Sequence, residues 1–170
     1  MAERDGTTGS RIVVGVDGSD GARAALRFAV EDAARRGVPV EAVTAFRPPG
    51  AWMDFYAVGE FQPDQLQVAA EEQARAFVAE VVPEQAAAVR VTAVMGTPAE
   101  ALLRASAGAD LLVVGSRGHG GFSSMLLGSV SMQCAQHASC PVTVVHSPEA
   151  HRERLHLRRN RRSEAGTAIG

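Results

Sequence analysis

Short apolar runs alternate with segments of helical periodicity along most of the chain, and this alternation limits the possible folds more than any other feature. The runs are bounded like buried strands and cover residues 11–17, 38–46, 89–95, 110–115 and 141–146. Helices are predicted over residues 19–37, about 64–82, 97–107 and about 129–137. Strands that alternate with helices are typical of a parallel sheet covered on both faces. We therefore expect an α/β fold, a three-layer α/β/α sandwich around a five-stranded parallel sheet.

Residues 115–131 read GSRGHGGFSSMLLGSVS and join the fourth predicted strand to the last predicted helix. Glycine lets the backbone approach a ligand closely and adopt positive φ. The N–H groups and the dipole at a helix start attract phosphate. The segment therefore indicates a nucleotide-phosphate site, in which a Cβ at Gly118 or Gly128 would crowd the phosphates or forbid the required φ. The same glycines could be ordinary turn residues, and Ser129 and Ser131 could act only as helix caps.

Two familiar phosphate-binding motifs are excluded by the sequence. The chain contains no lysine, so it cannot form a Walker A loop. The first predicted strand ends in Gly15-Val16-Asp17-Gly18, which places Asp17 where a dinucleotide fingerprint requires its second glycine.

The spacing of the glycines in the long segment is more specific than their number. Gly115, Gly118, Gly128 and Ser129 form the pattern G-x2-G-x9-G-[ST], which resembles the ATP-binding signature of the universal stress protein family. The resemblance extends from about Arg11 to His146. It implies a sheet of strand order 3-2-1-4-5 and an adenine nucleotide alpha hydrolase-like fold. The expected domain covers residues 11–147, between a disordered N-terminus (1–10) and a disordered, Arg-rich tail (148–170).

The resemblance also implies which residues contact the nucleotide. In the first loop and the second strand they are Gly15, Val16, Asp17 and Val43, with Ala45 beside Val43 at the adenine pocket. In the glycine segment they are Gly115, Ser116, Arg117, Gly118, His119, Gly120, Gly121, Gly128, Ser129, Val130 and Ser131. Asp17 is expected near the ribose or a phosphate-bound metal, although it could instead cap the first helix.

Two side chains of the glycine segment have competing interpretations. Arg117 could clamp a phosphate or be a solvated loop charge. His119 could suggest catalysis, but no Ser-His-Asp order accompanies it, so a solvent-facing side chain is expected. We expect no catalytic residue in this chain.

Composition excludes several classes of protein. A formal net charge of −2 argues against a globally basic nucleic-acid binder, although residues 151–170 contain six Arg and two Glu. No apolar run is long enough for a membrane helix, and residues 1–10 offer no secretory signal, so a cytoplasmic protein is expected. Cys134 and Cys140 match neither a zinc nor a C-x-x-C spacing and are interpreted as small buried residues.

The function that follows from the resemblance is a cytoplasmic stress-response regulator or sensor that binds ATP with Mg²⁺ or Mn²⁺. It would form a homodimer through the fifth strand, residues 141–146, and hydrolyse little or no ATP. Two alternatives remain: a slow ATPase or adenylating enzyme of the same fold, and an interaction module for another adenine nucleotide such as cyclic AMP. Adenylating relatives carry Ser-Gly-Gly-x-Asp-Ser in the first loop, whereas this chain has Val16-Asp17-Gly18-Ser19-Asp20.

Overall fold

The computed structural model describes residues 9–47, 63–118 and 127–148. Strands and helices alternate along them. The strands are β1 (Ile12–Gly15), β2 (Val40–Phe46), β3 (Val89–Met95), β4 (Leu111–Gly115) and β5 (Val142–Val145). The helices are α1 (Asp20–Arg36), α2 (Pro63–Val81), α3 (Pro98–Ala105) and α4 (Ser129–His137), and a 3₁₀ turn (Ala86–Ala88) precedes β3.

The strands form one parallel sheet in the order β3-β2-β1-β4-β5, as predicted. β1 is central: Ile12 is paired with Val40 of β2 on one side and with Leu111 of β4 on the other. The chain therefore builds the sheet outward from β1 in one direction and then returns to extend it in the other.

Side chains of β1 alternate between the two faces of the sheet, because successive residues of a strand point to opposite sides. Ile12 and Val14 pack with α1 and α2, where Leu26 is fully buried. Val13 packs on the other face with α3 and α4, where Leu102 is buried. The helices thus form two layers around the sheet, which confirms the expected three-layer sandwich.

Local capping chemistry sets the ends of α1 and α3. The Ser19 hydroxyl accepts a hydrogen bond from the N–H of Ala22 at 3.2 Å, and Gly37 ends α1 with φ of 69°. At α3, Thr97 and Glu100 form a reciprocal capping box. The backbone and side-chain hydrogen bonds from Thr97 lower the pKa of Glu100.

Several elements are shorter than their sequence pattern predicts, and two of them end two residues early. The first strand is predicted to reach Asp17 but ends at Gly15. The N–H of Val16 makes one more backbone hydrogen bond, to the carbonyl of Val43 at 2.9 Å, and the hydrogen bonds from Ser19 to Asp17 then hold the turn into α1. The third helix ends at Ala105, short of the predicted residue 107. Of the two expected terminal segments, 1–10 and 148–170, residues 1–8 and 149–170 lie outside the described part of the chain.

The two cysteines are free thiols in different environments. Cys134 is fully buried in α4, whereas Cys140 is half-buried before β5. Desolvation, with a smaller contribution from Cys140, raises the pKa of Cys134 to about 11. In the described part of the chain, no helix combines the length and the apolar character needed to cross a membrane.

Candidate functional site

A cleft of about 480 Å³ opens at the carboxyl ends of β1, β2 and β4. β1 and β4 are neighbours, but the helices that follow them, α1 and α4, pack on opposite faces of the sheet. Such a divergence leaves a crevice at the strand ends, which is where open α/β sheets bind ligands. The first turns of α1, α3 and α4 contribute Ala22, Pro98 and Ser129 to its walls.

Most of the residues predicted to form the site are brought together here. Those that line the cleft are Gly15, Val16, Asp17, Val43, Gly115, Arg117, Gly118, Gly128, Ser129, Val130 and Ser131, together with Ala45. Ser116 lies behind the wall rather than in it, and His119, Gly120 and Gly121 lie outside the described residues.

Asp17 is held by the turn that leads into α1. Its Oδ1 accepts hydrogen bonds from the backbone N–H of Ser19 at 3.0 Å and from the Ser19 hydroxyl at 2.5 Å. The same hydroxyl accepts a hydrogen bond from the N–H of Ala22, so Ser19 both caps α1 and orients the Asp17 carboxylate. The other carboxylate oxygen, Oδ2, faces Gly118, where a Cβ would overlap it. The two sequence motifs therefore meet directly across the cleft.

The start of α4 is fixed to the end of β4 by backbone carbonyls. The N–H of Gly128 donates to the carbonyl of Ser116 at 2.7 Å. The Ser131 hydroxyl lies 3.2 Å from that carbonyl and 2.9 Å from the carbonyl of Gly128. Gly128 is the N-cap of α4, and within the described residues no side chain caps this helix. The first turn of α4 therefore presents backbone N–H groups beside exposed Ser129.

Ser116 contributes through its backbone. Its N–H donates to the carbonyl of Val145 at 2.7 Å, and its own carbonyl accepts a hydrogen bond from the N–H of Gly128. Its side chain is 1% exposed, and its hydroxyl oxygen has no hydrogen-bond partner among the described residues. Ser116 thus ties β4, β5 and α4 together beneath the cleft.

The opposite end of the cleft is largely apolar. Val43 and Ala45 of β2 line it together with Pro98 and Leu102 of α3. Leu102 also fills the space above Gly15, since a Cβ there would lie 2.9 Å from its Cδ1. An apolar wall of this kind suits a planar ring system, which polar backbone groups could orient.

Sequence reasoning missed several residues of the cleft. They are Ser19, Ala22, Thr44, Gln73, Pro98, Leu102 and Val114. Pro98 could have been found, because it follows a strand whose carboxyl end lies at the same edge as those of β1 and β4. Gln73 carries no such signal, since its reach into the cleft depends on how α2 crosses the sheet.

The charged side chains among the described residues of the cleft are Asp17 and Arg117. The described part of the chain holds no group of three or more His, Cys, Asp or Glu side chains arranged to bind a metal ion. Asp17 therefore provides one carboxylate, which suits a cation that takes its other oxygen ligands from a bound phosphate.

Comparison with known proteins identifies the family. The model for the universal stress protein family matches residues 9–146. The chain belongs to this family. A universal stress protein of Mycolicibacterium smegmatis is 39% identical over 141 residues, a match that covers 79% of this chain and 45% of the relative. One from Thermus aquaticus is 35% identical over 136 residues and covers 79% of this chain and 96% of the relative.

The lengths of these universal stress proteins differ. This chain spans about half the length of the mycobacterial relatives that it matches, whereas it matches nearly all of the Thermus protein. Among solved structures, a universal stress protein in complex with cAMP superposes with a TM-score of 0.56 at 28% identity. That match covers 81% of this chain and 97% of the other.

Proposed function

We propose that this universal stress protein binds ATP in the cleft and acts as a nucleotide-dependent regulator of a stress response. The observation that carries the proposal is the direct approach of Gly118 to Asp17, which joins the glycine motif and the first-loop motif in one crevice. Gly15, Val16, Asp17, Val43 and the described residues of the glycine segment would contact the nucleotide.

The two ends of the cleft suit the two ends of a nucleotide. The adenine ring would lie against the ends of β2 and α3, where Val43, Pro98 and Leu102 offer apolar contact. The phosphates would lie against Gly118 and the first turn of α4, because backbone N–H groups at a helix start attract anions. Mg²⁺ or Mn²⁺ bound to the phosphates would take one further oxygen ligand from Asp17.

Hydrolysis of the bound ATP is expected to be slow. Phosphoryl transfer depends on charge placed around the transferred group, and Arg117 is the one basic side chain among the described residues of the cleft. A turnover rate far below roughly 1 s⁻¹ is expected. Turnover at ordinary enzyme rates that is lost in a Gly118 variant would favour the alternative of an ATPase.

The first experiment is mass spectrometry of the purified protein after denaturation, which identifies any nucleotide that remains bound through purification. Calorimetric titration with ATP, cyclic AMP, GTP and adenosine then gives the affinities. ATP binding with an affinity well above that for GTP supports the proposal. The absence of binding to any adenine nucleotide contradicts it.

Cyclic AMP is the second candidate ligand. It is favoured by the solved relative in complex with cAMP, whose match covers most of this chain. The G-x2-G-x9-G-[ST] spacing favours ATP, since it resembles the ATP-binding signature of the family. A higher affinity for cyclic AMP than for ATP in the same titration would select this alternative.

We further propose that the protein is a cytoplasmic homodimer that pairs through β5. β5 is an edge of the described sheet, and its Val142, Val144 and Val145 are β-branched. Such an edge favours pairing with another strand. Two copies paired antiparallel would give the self-complementary contact of a two-fold dimer.

A further inference from the structure

The first turn of α1 packs directly against the backbone that follows β4. Gly21 is buried there, and a Cβ on it would overlap the carbonyl oxygen of Arg117. A Cβ on Gly115 would in turn lie 2.5–2.9 Å from backbone atoms of Gly21. An alanine at either position therefore requires the backbone of one segment to move.

The same contact defines the direction of the Arg117 carbonyl. The position of a Gly21 Cβ is 3.6 Å from the nitrogen of Arg117, 3.2 Å from its carbonyl carbon and closest to its oxygen. The carbonyl oxygen is nearer to this Cβ position than the carbonyl carbon is, and the difference equals one C=O bond length, ~1.2 Å. The carbonyl therefore points almost straight at Gly21.

The opposite side of that peptide group is the N–H of Gly118. No cis peptide bond occurs among the described residues. In a planar trans peptide the C=O and N–H bonds point in opposite directions. The N–H of Gly118 therefore points away from α1, and Gly118 is a residue of the cleft wall.

We propose that Gly21 is a positioning residue of the nucleotide site. Because Gly21 has no side chain, the carbonyl of Arg117 can pack against α1. The N–H of Gly118 then points toward the cleft, where it donates to a phosphate oxygen. Gly21 does not itself line the cleft, whereas Ser19 and Ala22 of the same turn do. This inference rests on the proposed function, because it requires a phosphate-bearing ligand.

The residue type supports this role. Glycine is a poor helix former, yet it is the second residue of α1, where alanine would favour the helix more. A donor that is fixed before the ligand arrives avoids the ordering cost of binding. The glycine that fixes it lies outside the G-x2-G-x9-G-[ST] motif, on another element of the fold.

The test is the Gly21→Ala variant, with ATP and adenosine titrated in parallel by calorimetry. The added methyl group forces the 117–118 peptide to shift or rotate, so the dissociation constant for ATP should rise by about tenfold or more. The constant for adenosine should stay within about twofold, since adenosine has no phosphate to accept from Gly118. Gly9→Ala is the matched control, because a Cβ there meets nothing within 4 Å.

Two results would overturn the inference: unchanged ATP affinity, or an equal loss for ATP and adenosine, which indicates general damage to the fold. If Gly21→Ala does not fold, NMR of the wild-type protein decides instead. The amide proton of Gly118 should then move downfield on addition of ATP and stay in place with adenosine, and an identical response to both ligands would refute the role. Wild-type protein that binds neither ligand contradicts the proposed function itself.

Discussion

Gly118 and Asp17 are far apart in the sequence but lie against each other, so closely that a Cβ on Gly118 would overlap Oδ2 of the carboxylate. Oδ1 of the same carboxylate is held by Ser19. A substitution at Gly118 would therefore disturb Asp17 even without a ligand. Gly128 offers a cleaner probe of ligand contact, since a Cβ there would be 3.6 Å from its nearest neighbour, an ordinary distance.

Gly128→Ala should weaken ATP binding by about tenfold or more while leaving the folded protein unchanged. The φ of Gly128 is −74°, which alanine adopts freely, so the effect comes from the methyl group meeting the phosphates. Calorimetry gives the affinity, and thermal unfolding of the empty protein gives the stability. Wild-type affinity for ATP in this variant would show that the phosphates do not contact the start of α4.

Asp17→Asn should lower the affinity for ATP mainly when Mg²⁺ or Mn²⁺ is present. Asparagine keeps an oxygen that can accept hydrogen bonds from Ser19 but loses the negative charge that strengthens binding of a metal ion. Titrations with and without metal ion, in the wild type and the variant, separate the two contributions. Asp17→Ala is the companion variant, since it also removes the acceptor for Ser19 and should reduce stability. The metal role is excluded if the variant shows the same metal dependence as the wild type.

The elements whose limits depend on local chemistry were predictable from the sequence. β3 and α4 have the predicted limits, and the capped helices begin beside Ser19 and Thr97 as expected. The first strand was predicted too long, because the hydrogen bonds from Ser19 that turn Asp17 toward α1 do not follow from hydrophobic periodicity.

The site was predictable where motifs mark it and not where packing forms it. Gly115 and Gly118 lie at the end of β4 and just after it, as expected. Of the two effects expected of a Cβ at Gly128, a forbidden φ is wrong, because its φ is −74°, and crowding of the phosphates stays a prediction. Leu102 and Gln73 reach the cleft from helices whose placement depends on the crossovers of the fold. Gly21 was missed as well, since its contact with Arg117 joins segments far apart in sequence.

Cys140 should react with iodoacetamide faster than Cys134. Burial raises the pKa of Cys134 to about 11, so little thiolate forms at pH 8, and its side chain is fully buried. Raising the pH from 8 to 10 should raise the small thiolate fraction of Cys134 by about tenfold per pH unit, since both values lie below its pKa of about 11, but labelling should stay slower than that of Cys140 because the side chain is buried. Mass spectrometry of the labelled peptides measures both rates, and the urea-unfolded protein, in which the rates should converge, is the control. Faster labelling of Cys134 would show that α4 opens readily.

The free edge of β5 has a defined pattern of backbone groups. The carbonyls of Pro141 and Val145 accept from β4 at 2.9 and 2.7 Å. Because backbone groups of successive residues point to opposite sides of a strand, those of Val142 and Val144 point away from the sheet. An antiparallel partner strand would therefore pair with Val142 and Val144.

Val144→Pro should convert the proposed dimer to a monomer while the domain stays folded. Proline removes an N–H that points outward, so the pairing of β5 with β4 keeps its hydrogen bonds. Val144→Ala is the matched control: it shortens the same side chain but keeps the N–H, and it should remain dimeric. Light scattering at micromolar concentration measures the mass, and calorimetry should show ATP affinity within about threefold of wild type, because β5 contributes no residue to the cleft wall. A dimeric Val144→Pro protein, or a wild type that is monomeric, would rule out pairing through this edge.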